Sequence, residues 1–72
     1  MKIYIISDWD NTIIKAYTEK EKAEAYIIEY IKLTYKQDKD NIYIDNYDNF
    51  ILYNFKYNNS YLTFKINTTT LN

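Results

Sequence analysis

A single stretch with helical periodicity, flanked on both sides by strand-like runs, is the feature that most limits how this chain folds. Between Thr18 and Lys36 the apolar residues recur at helical spacing. The stretch opens with Thr18-Glu19-Lys20-Glu21, which has the spacing of a capping box. We therefore predict one helix over residues 19–36. Its buried face would hold Ala23, Ile27, Tyr30, Ile31 and Thr34, with Tyr26 and Leu33 at its margins.

The segments on either side of this helix read as strands. Residues 2–7 and 12–17 are rich in Ile and Tyr and flank the polar segment 8–11, which predicts a hairpin. In that turn Asn11 can take the left-handed conformation that glycine usually supplies. Residues 42–45, 50–57 and 61–67 alternate in polarity and predict three more strands. Asn58-Asn59 suits a type I′ turn between the last two strands.

The order of elements is therefore ββαβββ within one small domain, residues 1–72, in which residues 68–72 form a frayed tail. A helix with one apolar face and a sheet with one apolar face bury both by packing in two layers. The predicted fold is α+β, with one helix packed on an antiparallel sheet.

Several classes of site lack the residues they need. The chain has no cysteine and no histidine, which removes thiolate chemistry, the commonest general base and the commonest zinc ligand. The net charge of −1 gives no electrostatic reason to expect nucleic acid. No apolar run is long enough to span a bilayer, and the N-terminus lacks the features of a secretory signal. We expect a cytoplasmic protein without metal or cofactor.

The segment Ile3 to Thr12 resembles the start of the catalytic strand of haloacid-dehalogenase-type phosphatases, where an apolar run precedes Asp-x-Asp-x-Thr. The resemblance implies that Asp8 is a nucleophile and Asp10 a general acid/base. That family needs a much longer parallel α/β domain, and one helix followed by strands leaves no room for βαβ crossovers. We therefore interpret the segment as a hairpin turn. The same acids also fail as a calcium loop, because Ile13 stands where a glycine is required.

Tyrosine is the most unusual component, with ten residues among 72. Residues with AT-rich codons (Phe, Tyr, Met, Ile, Asn and Lys) make up 44 of 72, which indicates an AT-rich genome such as that of a low-GC Gram-positive bacterium or its phage. Codon bias is therefore one interpretation of the tyrosines, and a binding surface is the other. A small two-layer domain cannot bury ten rings, so some must face outward. Tyr and Trp dominate protein interfaces, and acidic turns beside them would steer a basic partner. The predicted partner-binding residues are Trp9, Tyr47, Asp8, Asp10, Asp45, Asp48, Tyr43 and Tyr61.

Residues 2–31 resemble many small proteins of phages and mobile elements. The shared pattern is the opening Lys-Ile-Tyr-Ile-Ile, a polar turn, a second strand, and the helical segment Glu-Lys-Ala-Glu-Ala. The resemblance implies a phage or mobile-element setting. Together with the small size, the missing catalytic groups and the surplus of aromatic residues, this setting predicts a non-enzymatic phage protein that binds and blocks a host protein. Such a protein would be similar to anti-CRISPR proteins and other anti-defence inhibitors. Its partner could be a nucleic-acid-binding effector complex. The alternative is a nucleic-acid- or nucleotide-binding module that uses aromatic and Lys side chains on a sheet. Whether the chain forms a homodimer stays open.

Overall fold

The fold of the protein was taken from a computed structural model, which describes residues 1–71. One helix packs on a five-stranded antiparallel sheet, so the predicted α+β class and the order ββαβββ are confirmed. The elements are β1 (Lys2–Ser7), β2 (Ile13–Tyr17), α1 (Lys20–Tyr35), β3 (Tyr43–Asn46), β4 (Phe50–Tyr57) and β5 (Ser60–Thr70), with a 3₁₀ turn (Lys39–Asn41) before β3.

The last strand lies in the middle of the sheet, whose order is β2-β1-β5-β4-β3. It pairs antiparallel with β1 on one side and β4 on the other. The prediction of a frayed tail from residue 68 is wrong for 68–70, because these threonines pair along β1 as far as Lys2↔Thr70. The Leu71 N–H then donates to the Met1 carbonyl at 2.7 Å. β-Branched threonine suits such a paired, half-covered strand. Asn72 lies outside the described residues.

The helix begins one residue later than a capping box at Thr18 requires, and that part of the prediction is wrong. Glu19 is the N-cap and its side chain makes no capping hydrogen bond. Instead Glu19 Oε2 lies 3.2 Å from Lys22 Nζ, in an exposed ion pair that adds little stability. The helix ends at Tyr35, and the C-cap residue Lys36 adopts the left-handed conformation with φ of 57°.

The core lies between α1 and the sheet face that carries Ile51, Tyr53 and Phe55. From the predicted helix face Ala23, Ile27 and Ile31 are fully buried, Tyr30 is half-buried, and Thr34 is exposed. The helix turns further toward its tyrosine side than predicted, so that Tyr26, Tyr30 and Tyr35 flank the core. Along the sheet α1 lies over β1, β2 and β5 and leaves the helix-side face of β3 and part of β4 less covered.

Most of the tyrosines therefore serve the core. Tyr53 is buried, and the rings that pack around the core at half-burial are Tyr4, Tyr17, Tyr26, Tyr30 and Tyr35. The rings of Tyr43, Tyr47 and Tyr61 are 63%, 54% and 72% exposed, and Tyr57, which contacts Tyr35, is 36% exposed. More tyrosine rings thus pack around the core of this small domain than the sequence suggested, and fewer rings face outward.

Asparagine takes the role of glycine at the tight turns. Asn11 has φ of 62°, and Asn58 and Asn59 have φ of 50° and 65°, as a type I′ turn requires. Both turn predictions are confirmed. Asn populates this region more readily than other residues that carry a Cβ, because its short amide can bond locally. Within residues 1–71 there is no helix with the length and apolar character needed to cross a membrane.

Candidate interaction surface

The sheet face opposite α1 is not covered by any helix of residues 1–71, and we call it the open face. Because side chains alternate along a strand, the register that buries Ile51 and Tyr53 points their neighbours to this face. The open face carries the side chains of Tyr43, Asp45, Tyr47, Phe50, Leu52 and Tyr61 from β3, β4 and β5 and the turn between β3 and β4.

Five of the eight predicted binding residues are on this face or at its border. Tyr43 and Asp45 lie on β3, Tyr61 lies on β5, and Tyr47 and Asp48 lie in the β3–β4 turn. All five are exposed. The structure therefore brings these residues into one region of the sheet.

Tyr47 is held in place by a ring stack. Its ring lies 4.6 Å from that of Phe50 with an interplanar angle of 18°, and its backbone N–H donates to the Phe50 carbonyl at 2.9 Å. The hairpin thus fixes one face of the Tyr47 ring and leaves 54% of the residue exposed. A ring that is already ordered loses less conformational entropy when a partner binds.

A short row of hydrogen bonds crosses the open face beside these rings. The Thr63 hydroxyl donates to Asn54 Oδ1 at 2.6 Å, and Asn54 Nδ2 donates to Asp45 Oδ2 at 3.3 Å. The row orients the Asp45 carboxylate next to Tyr43, which pairs with Asn54 across β3 and β4. Asp45 is exposed, so a cation on a partner can reach it.

At one end of the open face the β4–β5 turn bounds a shallow cleft of about 600 Å³. Its rings are Tyr43 and Tyr61 and its one charged side chain is Lys56, while the remaining lining is amide from Gln37, Asn41, Asn58 and Asn59. Rings, amides and a cation can together contact a nucleobase and a phosphate. This cleft is the feature of the protein that suits the alternative nucleic-acid function.

The other three predicted residues form a separate structure in the β1–β2 loop. Asp8 Oδ1 accepts the backbone N–H groups of Asp10 and Thr12 at 2.9 and 3.0 Å, and the Asp8 N–H donates to the Thr12 carbonyl at 3.1 Å. Asp8 therefore organises the turn with its side chain. This use of the carboxylate gives Asp8 a structural role in the turn, and the antiparallel sheet differs from the parallel sheet of the phosphatases.

Trp9 is not the free turn tip that the sequence suggested. Its ring meets the buried ring of Phe64 edge-on, with centroids 5.6 Å apart, and 48% of Trp9 remains exposed. Phe64 belongs to the helix-side face of β5, so Trp9 lies on the opposite side of the sheet from Tyr47. Nearby, burial together with the charges of Tyr30 and Asp8 raises the pKa of Tyr35.

The four predicted acidic binding residues therefore lie in two separate parts of the structure. Asp8 and Asp10 belong to the β1–β2 hairpin, whereas Asp45 and Asp48 belong to β3 and its turn. Between β1 and β3 lie β5 and β4, so the two pairs are about 14 Å or more apart at the usual strand spacing. Turn position in the sequence could not show this, because strand order decides which turns are neighbours.

Two contributors to the surface were not predicted. Phe50 and Leu52 face away from α1 and are only half-buried, although their strand reads as continuously apolar from Phe50 to Tyr53. The sequence signal for this was an apolar run that places apolar residues on both faces of β4. A strand with one solvated face normally alternates between apolar and polar residues.

The Asp8 carboxylate should contribute more to the stability of the fold than the Asp10 carboxylate does. We expect Asp8→Ala to lower the free energy of unfolding by ~1–2 kcal/mol, because two backbone N–H groups lose their acceptor. Asp10→Ala, in the same exposed turn, should change it by less than about 0.5 kcal/mol. Urea denaturation followed by circular dichroism measures both. Equal effects would contradict the role given to Asp8.

Comparison with known proteins gives no assignment: no family model, no curated protein and no solved structure matches the chain.

Proposed function

We propose that this protein is a small phage-type inhibitor that binds and blocks a host protein in the cytoplasm of the host cell, without catalysis. The observation that supports the proposal is the open face, where three exposed tyrosines lie with Asp45 and Asp48 on one region of the sheet. Its target class is a defence protein, such as an effector complex of CRISPR–Cas, by analogy with anti-CRISPR proteins and other small anti-defence inhibitors.

The chemistry of the open face suits a protein surface with basic residues. Tyrosine rings supply large contact areas with few rotatable bonds, and such rings are enriched among the residues that carry binding energy. Asp45 and Asp48 add negative charge at the side of these rings, and a protein that normally grips nucleic acid presents the complementary positive charge. The Tyr47–Phe50 stack provides one ring that is ordered before binding.

The experiment compares three forms of the protein as inhibitors. Each is expressed in a low-GC Gram-positive host whose CRISPR–Cas system targets a test phage, and the plating efficiency of that phage is measured. The protein should raise plating by at least tenfold. The triple variant Tyr43→Ala, Tyr47→Ala, Tyr61→Ala should lose this effect. Leu33→Ala, which truncates an exposed apolar residue on α1, should keep it.

The biochemical arm uses the same three forms immobilised on beads with nuclease-treated lysate. The proposal predicts that beads with the unmodified protein or with Leu33→Ala retain the same host protein, and that beads with the triple variant do not. Equal retention by all three forms, or no gain in plating with well-expressed protein, contradicts it.

The second candidate function is binding of single-stranded nucleic acid or a nucleotide, and the cleft lined by Tyr43, Tyr61 and Lys56 favours it. Fluorescence anisotropy with labelled single-stranded oligonucleotides tests it directly. Binding that weakens with rising salt and is lost in Lys56→Ala would support this function, because phosphate contacts are salt-sensitive.

A further inference from the structure

The two edges of the sheet are built differently. Edge strand β2 is protected against pairing with another chain in two ways. Its register against β1 shifts between Ile6 and Ser7, so that β2 carries a bulge. Its Lys15 pairs with buried Ile6 and points to the helix side, where the ammonium lies 4.9 Å from the centroid of the Tyr26 ring. Bulges and inward charges are known devices for blocking sheet edges.

Edge strand β3 has neither device. It pairs with β4 in continuous register from Tyr43↔Asn54 to Asn46↔Ile51, and it contains no lysine and no proline. Because the Tyr47 N–H bonds the Phe50 carbonyl, the hydrogen-bonded pairs alternate back from there to Asp45 and Tyr43. Ile44 and Asn46 therefore direct their N–H and C=O groups away from β4. These four groups can pair with an added strand.

An apolar groove of about 560 Å³ runs beside this edge on the helix side of the sheet. It exists because α1 lies over β1, β2 and β5, which leaves Ile44 42% exposed. Its apolar lining is Ala25, Ile28, Ile44 and Tyr53. In a strand added to β3, alternate side chains would point to this side.

The charges at the two ends of the groove differ in sign. Tyr26 contacts Tyr17, while Tyr35 contacts Phe55 at a centroid distance of 5.1 Å, so α1 runs from the Asn46 end of β3 toward its Tyr43 end. Glu24 therefore lines the Asn46 end, and Lys32 and Lys39 line the Tyr43 end. Glu29 also lines the groove, and its carboxylate lies 3.9 Å from Lys32 Nζ, so Lys39 is the cation at the Tyr43 end that a ligand meets without this pairing. A ligand with the opposite polarity is complementary to this groove.

We propose that β3 is extended by a strand from a protein partner, a short segment with alternating apolar residues that runs antiparallel to β3. Running antiparallel, the segment reaches Lys32 and Lys39 last, so its acidic residue or terminal carboxylate follows its apolar residues. The four residues of β3 limit the pairing to a few backbone hydrogen bonds, and the apolar groove supplies the additional contact. The inference rests on the proposed function as a protein-binding inhibitor, and it specifies how that partner is held.

The test begins with a library of random linear heptapeptides displayed on filamentous phage and selected on the full chain. We expect enriched peptides in which apolar residues alternate and an Asp or Glu follows them. One enriched peptide, made synthetically with a fluorophore, then serves as the probe for anisotropy measurements.

The edge itself is tested by removing one backbone donor. Asn46→Pro deletes an N–H that faces away from β4, and the matched control Asn46→Ala keeps it. We expect at least tenfold weaker peptide binding for Asn46→Pro and less than twofold change for Asn46→Ala. A synthetic chain with N-methyl-Ile44 should match Asn46→Pro, and it provides the measurement if the proline variant fails to fold. Lys39→Glu should weaken the binding of peptides that end in an acidic residue or a free carboxylate.

Three results would overturn the inference. One is a library without the alternating pattern, and another is peptide binding that both donor-deleted forms retain. The third is a dimer of the chain in sedimentation that Asn46→Pro abolishes, because a second copy would then occupy the edge. The plating assay separates these failures from that of the proposed function. Inhibition lost in the tyrosine triple variant but kept in Asn46→Pro overturns only the strand addition.

Discussion

Replacing Phe64 by Ala should lower the free energy of unfolding by ~3–5 kcal/mol, the usual range for truncating a buried Phe. Phe64 is 1% exposed and lies at the centre of the aromatic core. Its ring centroid is 5.6 Å from that of Tyr30, 5.9 Å from that of Tyr35 and 6.0 Å from that of Phe55. Small domains have little stability in reserve, so we expect the variant to be largely unfolded at 37 °C.

The matched control is Tyr61→Ala, which removes a ring from the same strand at a residue that is 72% exposed. It should cost less than about 1 kcal/mol. Urea denaturation followed by far-ultraviolet circular dichroism compares the two without relying on Trp9, whose fluorescence would respond to the loss of Phe64 itself. Similar costs for the two variants would show that the core is not centred on Phe64.

The protein should lose stability at alkaline pH through Tyr53. Burial, with a smaller contribution from the nearby Glu24 carboxylate, raises the pKa of Tyr53 from 10.0 to about 12. Below pH 10 the hydroxyl is protonated in both states, and its contribution to stability is complete. Between pH 10 and about 12 the unfolded chain releases this proton while the folded protein keeps it, so unfolding becomes more favourable. The loss over that range should approach about 2–3 kcal/mol.

The variant Tyr53→Phe isolates this contribution, because it removes the ionisable hydroxyl and keeps the ring. Any effect of the rise in pH on the rest of the chain is common to both proteins. We expect the difference in unfolding free energy, measured by urea denaturation, to move in favour of Tyr53→Phe as the pH rises from 9 to 11.5. A constant difference would mean that the Tyr53 hydroxyl ionises as readily in the folded protein as in the unfolded chain.

The secondary structure was predictable because each element is specified locally. The helix follows from the spacing of Ala23, Ile27 and Ile31, and all three are buried as that spacing requires. The turns at Asn11 and Asn58-Asn59 follow from asparagine, which takes positive φ more readily than most residues that carry a Cβ. The two faces of β4 follow in the same way, since alternation alone places Ile51, Tyr53 and Phe55 on one face.

The arrangement of the strands was not predictable in this way. Nothing local to Thr68–Thr70 shows that these residues pair with β1, because the partner strand is at the other end of the chain. The prediction that Trp9 is a free turn tip was wrong for a related reason. Whether a loop ring points to solvent or folds against Phe64 depends on where α1 and β5 lie, and that is a property of the assembled layers. The outward direction was easier to predict for Tyr43, Tyr47 and Tyr61, since alternation or a turn position already directs these rings away from the helix.

The central position of β5 also sets the order in which the protein can be completed during synthesis. The hairpin of β1 and β2 emerges from the ribosome first, yet the other edge of β1 has no partner until residues 60–70 have been made. The contact between β1 and β5 has a large sequence separation, and such contacts slow folding because a long loop must close before they form. Until then the nascent chain exposes the backbone of an Ile- and Tyr-rich strand. Such a segment aggregates readily unless a chaperone binds it.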